Sequence, residues 1–442
     1  MHICLLSILS AAALEVSGSP PFPPLPDSVS LETSAVEQLT AGVLDWYLSR
    51  GYPFAAVALY PSSRDTLVVH TVPGRHALLE EIVFPDTVRT RASVLLRGLE
   101  TECGEPYSYQ DVELWLESLE RFPFVESAGP CGVHLGPGGN IVLVVPVEES
   151  PPGWFSGDLD FTSSGGFTGG GEIVFTSIFG TGRRLELRGA AVQWGGLDAS
   201  ALYREPWILG SPVSAEFAAS QEVPDSGSVI RELSGNLLMG IGPLEVSGGG
   251  GSWRSYPSQG GDESYRYASA GLSWDLTKRV PQGRAGFSGR VNTDAGTASG
   301  TDSTYFLTRA DGAMKYQWFR SAVGLGASVM AGGTLGGVRP STMVTRLGGY
   351  GSIRGYPEDS WRAAEWGVIS PEISLGETAT RLYAFLDAGI LRTGEGVMEY
   401  PVSAGAGIRG VSGGLGFDAG AGYPLDRGVE SARFYLSARV SI

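Results

Sequence analysis

From about residue 155 to the end, the chain loses its helical period. It becomes a series of alternating segments of about ten residues, separated by clusters of Gly, Pro, Asp and Ser. The last segment is the clearest. Phe434, Leu436, Ala438, Val440 and Ile442 fall on one face, and Arg433, Tyr435, Ser437, Arg439 and Ser441 on the other. That pattern suits a strand with one apolar side and one wet side. A soluble sandwich alternates in the same way, so strand number and spacing decide between them. Segments begin near Gly157, Gly169, Arg183, Leu197, Ser211, Ser228, Leu244, Tyr265, Arg284, Tyr305, Ser321, Ala363, Thr380, Pro401, Gly413 and Ser431. Their spacing, roughly 18 residues per strand plus connection, matches a membrane barrel whose strands need about 9–11 residues to cross. Closure also removes the edges that so many open strands would expose. The 65 glycines, about twice the usual share, suit curved strands and interior space. The expected fold class is therefore an all-β transmembrane barrel of about sixteen antiparallel strands over 155–442.

Composition narrows the function. The formal charge is −16, lysine occurs only at Lys278 and Lys315, and no basic run exists, which argues against a nucleic-acid partner. Histidine stops at His134. The barrel segment therefore lacks a Ser-His pair or a His-ligated metal, and we expect neither enzyme, cofactor nor metal site. Gly405 to Gly410 matches G-x-G-x-x-G, but inside a strand pattern, where dinucleotide binding lacks its strand-to-helix turn. Asp294, Asp302, Glu358 and Asp359 read as solvated loop charge rather than calcium ligands.

The first 150 residues are organised differently. Ile3 to Leu14 is a short apolar run ending near Ala11-Ala12-Ala13, and residues 1–14 read as a signal segment. Residues 15–30, with Pro20 to Pro26, read as a linker. Across 31–75, Ser34 and Glu37 form a capping box ahead of a helix bearing Val36, Leu39, Val43, Trp46 and Tyr47, which Gly51 ends. Two short strands follow. Residues 76–149 read as strand, helix, helix, strand, strand, with Ser108 and Asp111 capping the second helix. The first unit shows only the last three of those elements, as a truncated copy would. Cys103 and Cys131 are candidates for one disulfide in an exported chain.

One connection stands out. Between the eleventh and twelfth strands, Thr334 to Arg362, lies Leu347-Gly348-Gly349-Tyr350-Gly351-Ser352-Ile353-Arg354-Gly355-Tyr356-Pro357. Here the sequence resembles the BamA/TamA-type outer-membrane assembly superfamily, the bacterial surface antigens. Ile353-Arg354-Gly355-Tyr356 matches its [VI]-R-G-[FY] motif, in the long loop before strand twelve. Phe385-Leu386-Asp387-Ala388-Gly389 matches its F-x-D-x-G element in strand thirteen. Residues 78–149 look like a POTRA domain and 34–74 like a shortened one. The chain departs from the pattern in having two such units and in ending at Ile442 rather than an aromatic residue.

The resemblance implies a barrel in the outer membrane and a POTRA region in the periplasm. It implies a loop folded into the lumen and pinned by Arg354, with Asp387 as partner and Glu372 as a second candidate. Gly349, Gly351 and Gly355 would give the loop its turns, and Tyr356 would pack on interior glycines. It further implies a lateral seam between the first and last strands, carrying Leu159, Phe161, Phe434 and Leu436, where a client strand could pair by β-augmentation. The implied partners are unfolded outer-membrane protein clients, outer-membrane lipid and periplasmic accessory lipoproteins. The expected function is assembly and insertion of outer-membrane proteins. The alternatives are two-partner polypeptide secretion, lipid export and a passive porin.

Overall fold

The computed structural model describes residues 11–442 apart from 64–65, 86–87, 100–102, 163–165, 192–196, 226, 258–260, 301–302, 336–342, 378 and 428–430. The chain divides into two compact units, Met1–Ser150 with Phe179–Thr181, and the remainder.

The second unit is a closed antiparallel barrel. Its sixteen long strands among the described residues are, in order, Gly153–Thr162, Gly166–Phe175, Arg184–Ala191, Leu197–Glu205, Val213–Asp225, Ser228–Ile241, Leu244–Tyr256, Glu263–Asp275, Gly283–Ser299, Thr304–Arg320, Val323–Leu335, Trp361–Glu377, Thr380–Thr393, Val402–Ser412, Leu415–Pro424 and Arg433–Ser441. Every one begins within a few residues of the position read from the alternation. Short pieces at Lys278–Val280, Thr345–Leu347 and Met398–Glu399 add local pairing.

Strand period fixes which side chains meet lipid and which line the lumen. In the thirteenth strand, Leu382, Leu386 and Ile390 are exposed on the outer face, while Arg381, Tyr383, Phe385, Asp387 and Leu391 are buried inside. Phe217, Leu233, Leu237 and Phe306 continue the apolar outer surface. The barrel end that holds Gly153 carries tight turns such as Gly242-Pro243 and Gly413-Gly414, whereas the opposite end carries the 336–360 connection. Wall height is uneven. The strands flanking the seam run 8 to 10 residues, against 13 to 17 from the fifth to the twelfth.

The N-terminal unit contains two small α+β assemblies. In the second, Leu79–Val83 lies parallel to Ile141–Val144, which pairs antiparallel with Gly132–Leu135. The helices span Ala92–Leu95 and Tyr109–Leu119, and Ser108 Oγ accepts from Asp111 N–H (3.4 Å), as its spacing predicts. The final strand read over Asn140 to Val147 breaks in two, since Pro146 lacks an N–H. Val147–Glu149 instead pairs with Val125–Ala128.

The first assembly corrects the sequence reading in three places. Ala11–Gly18, assigned to the end of the signal segment and the start of the linker, is a strand parallel to Thr66–Val72. Ser28–Ser30, also assigned to the 15–30 linker, pairs with its other edge. With Ala56–Pro61 beside Thr66–Val72, the sheet has four strands. The assembly therefore repeats the second one's parallel pairing of a first strand with a strand after the helix, and lacks one helix, rather than a helix and a strand. The apolar run Ile3 to Leu14 hid the strand Ala11–Gly18, because it reads as an export signal. Third, the helix spans Thr33–Leu48 with Glu32 as N-cap and no side-chain cap. Ser34 thus sits inside the first turn, and the capping box does not form. Gly51 does take a positive φ of 81° after the helix. Cys103 and Cys131 are free thiols, so the candidate disulfide is absent.

Candidate functional site

The site is built on the inner face of the thirteenth to sixteenth strands. Strand period points Tyr383, Phe385 and Asp387 inward from one strand, and space for the rings comes from glycines on the neighbours. A Cβ on Gly422 would lie 3.1 Å from Phe385, and one on Gly407 would lie 2.6 Å from Tyr383. Asp387 is fully buried. A buried carboxylate needs a charged, geometrically matched partner.

Arg354 supplies it from the 336–360 connection. Its Nε donates to Asp387 Oδ2 (2.9 Å), its Nη2 to Oδ1 (2.7 Å), and its backbone N–H also to Oδ2 (2.9 Å). The planar guanidinium thus meets the carboxylate fork to fork. It lies over the Phe385 ring at 3.6 Å. Burial works against its charge, but the Asp387 hydrogen bonds outweigh that and hold Arg354 more firmly protonated. Ile353, Gly355 and Tyr356 complete the docking. Ile353 and Tyr356 are buried with Leu347, Ala363, Val368 and Leu391. Gly355 has φ +91°, and a Cβ there would lie 2.8 Å from the Tyr423 amide nitrogen. The close approach to the barrel wall therefore requires glycine at this point.

Two expectations shift in detail, at Glu372 and at Gly351. Gly355 lies against Gly422. The Tyr356 ring meets Trp361 edge-on at 4.7 Å, and its hydroxyl donates to Asp426 (2.8 Å). Burial, then that hydrogen bond, pushes Tyr356 up to about 12. Glu372 stands 3.6 Å from Arg354, but it accepts a closer hydrogen bond from Arg409 Nη2 (2.7 Å). Gly351 has open space around it and no positive φ, so nothing there demands glycine.

Sequence reading missed a second tether. Arg346, in the same connection, bonds Asp198 on the fourth strand (2.6 Å), Glu222 on the fifth (3.3 Å) and Asp359 (2.8 Å). Met343 packs beside it among Ile230, Trp253, Tyr265, Ala298 and Leu307 of the sixth to tenth strands. One end of the connection is therefore held by the fourth to tenth strands, and the other by the thirteenth to fifteenth. In a closed barrel these walls face each other, so the segment braces the lumen. No motif marks Arg346; only its position in a long connection lined by facing acids could have indicated it. Asp294, read as solvated loop charge, points inward on the ninth strand and accepts from Arg309 Nε (3.0 Å) and Tyr265 (2.6 Å). Asp359 is likewise held by Arg346, and Glu358 accepts from the Tyr350 amide (3.0 Å). Asp302 lies outside the described residues.

The seam is closed. The first and last strands are registered from Trp154↔Ser441 to Phe161↔Phe434, with Leu159 opposite Leu436. Leu159, Phe434 and Leu436 are 52%, 58% and 48% exposed on the outer face; the Phe161 side chain lies outside the described residues. The seam ladder is as long as the next one, which pairs Leu415↔Val440 to Gly422↔Arg433. The seam is therefore in continuous register over these residues.

Comparison with known proteins agrees on the fold. No protein-family profile matches the chain, and no curated protein sequence matches it. Solved structures do. BamA from Haemophilus ducreyi lacking POTRA domains 1–3 is 14% identical, with 97% of this chain and 99% of that chain covered at TM-score 0.60. CdiB from Escherichia coli is 16% identical over 97% and 90%, at TM-score 0.60. CdiB from Acinetobacter baumannii is 14% identical over 98% and 90%, at TM-score 0.57. At these identities the shared property is the fold alone.

Proposed function

We propose that this protein resides in the outer membrane and inserts β-barrel clients through the seam between its first and last strands. One observation carries the reading: the lumen is braced by a connection tied to facing walls by Arg346 and Arg354. A passive porin needs an open lumen, and this brace obstructs it. The seam strands also lie in the shorter part of the wall, at 10 and 9 residues, about the minimum for crossing a bilayer. A short wall bears less lipid-matched surface, so separating it from its partner exposes less.

The POTRA-like units lie in the periplasm in this reading. Their unpartnered edge at Gly132–Leu135, where Val133 and Leu135 are exposed, suits an extended client or an accessory lipoprotein through main-chain hydrogen bonds. No covalent chemistry is required, so the protein acts as an insertase rather than an enzyme. The test is a disulfide lock across the seam. Gly157→Cys with Ala438→Cys joins two register partners. In liposomes, insertion of an unfolded β-barrel, read by heat-modifiable gel mobility, should stop when the lock is oxidised and resume on reduction. Equal insertion by the oxidised form refutes the seam reading.

A further inference from the structure

The tight-turn mouth of the barrel contains a cavity of about 440 Å³, of a size typical for small-ligand sites. It adjoins the Arg354 lock through Glu372 and the last seam strand through Arg439, but neither the lock nor the insertion reading uses Arg381. Four guanidinium groups line it (Arg284, Arg381, Arg409 and Arg439) against two carboxylates, Glu372 and Asp418. Those carboxylates are already engaged. Glu372 accepts from Arg409 (2.7 Å), and Asp418 accepts from Tyr350 (3.2 Å) and Tyr383 (2.5 Å). Arg284 is paired with Asp275 (3.1 Å). Arg381 and Arg439 have no carboxylate within ion-pair distance among the described residues.

Arg381 is the more telling of the two. It is only 6% exposed, and its Nη2 has no hydrogen-bond partner among the described residues. Nη1 reaches only Ser374 Oγ, at 3.5 Å. The guanidinium is nevertheless held in place. It lies over Phe319 at 4.6 Å, and Gly324 leaves it room, since a Cβ there would sit 2.8 Å from Nη1. Arg439 is likewise fixed over Trp154 at 4.0 Å. A buried cation held rigid with its donors unpaired is costly unless an anion completes it. Guanidinium groups suit planar or tetrahedral oxyanions, which accept from two donors at once.

We propose that this cavity binds a small oxyanion, a carboxylate or a phosphate, with Arg381 as its principal donor and Arg439 as a second. The probes are inorganic phosphate and acetate, applied to the full chain in uncharged detergent at constant ionic strength set with chloride. Phosphate binding is read by ³¹P line broadening and acetate binding by saturation-transfer difference. Saturable binding of either probe is expected, and whichever binds more tightly identifies the oxyanion class. Arg381→Met should weaken it at least fivefold and Arg439→Gln by less, while Arg231→Gln, outside the cavity, leaves it unchanged. Heat-modifiable mobility confirms that each variant is folded. Arg381→Lys, which keeps the charge without the fork, provides a second folded test and should bind with intermediate strength. If neither probe binds above the chloride background, or if folded Arg381→Met and Arg381→Lys both bind as the wild type does, the site does not exist.

Discussion

Asp387 accepts three hydrogen bonds from one residue, two from the Arg354 guanidinium and one from the Arg354 backbone N–H. The carboxylate therefore fixes the position of the connection's main chain as well as its charge. This makes the two partners unequal. Arg354→Ala removes the guanidinium but keeps the backbone donor. Asp387→Ala leaves the guanidinium with Glu372 at 3.6 Å as its nearest remaining carboxylate. Breaking a buried pair from one side costs about 3–5 kcal/mol. Asp387→Ala should therefore reduce client insertion in liposomes more than tenfold in a barrel that still folds. Arg354→Lys should fall between wild type and Arg354→Ala, because an ammonium cannot present the fork.

The brace has two ends, and each alone should hold it in part. Arg346→Ala removes the bonds to Asp198, Glu222 and Asp359 together. In planar bilayers each single variant should show brief openings. The double variant Arg346→Ala with Arg354→Ala should show a sustained large conductance, because nothing then ties the connection to either wall.

Gly355 tests the docking by sterics instead of charge. At φ +91°, and with the Tyr423 amide 2.8 Å from any Cβ, Gly355→Val cannot seat the motif. Trypsin should then cut after Arg354 in the folded variant while sparing that bond in the wild type. The cleavage is read by mass spectrometry of the intact fragments.

Outside the membrane, Glu149 gives the POTRA-like region a pH dependence. Burial raises its carboxyl. Hydrogen bonds from the Thr90 hydroxyl, the Arg89 and Thr90 amides and the Arg89 guanidinium outweigh that and hold it below the usual carboxylate range. A folded value below the unfolded one, which is about 4.3, means the stabilisation is complete at neutral pH. It drains away as pH falls through the unfolded value toward the folded one. In urea titrations followed by Trp115 emission, Glu149→Gln should lower the midpoint at pH 7, and the difference should shrink toward pH 3.

Much of this architecture can be read from residue order. Period two alone places Asp387, Phe385 and Tyr383 on one face of a strand, and the chain turns where Gly, Pro and Asp cluster. The Arg354 motif marks its own loop. Arg346 escapes, because a tether between residues 148 positions apart leaves no local pattern. Ala11–Gly18 escapes for a different reason. Its pairing with Thr66–Val72 depends on a distant partner, while its own composition resembles an export signal. Arg381 is legible as an inward residue, but its missing partner appears only once all the neighbouring strands are in place.

Exchange of partners at the seam during turnover tests the central claim most directly. A cysteine replacing Gly157 can be crosslinked either to one replacing Ala438 or to one in the last strand of an arriving client. The account predicts that, as insertion proceeds, the internal crosslink falls while the crosslink to the client rises in step. An internal crosslink that stays at full yield while clients insert at the normal rate would contradict it.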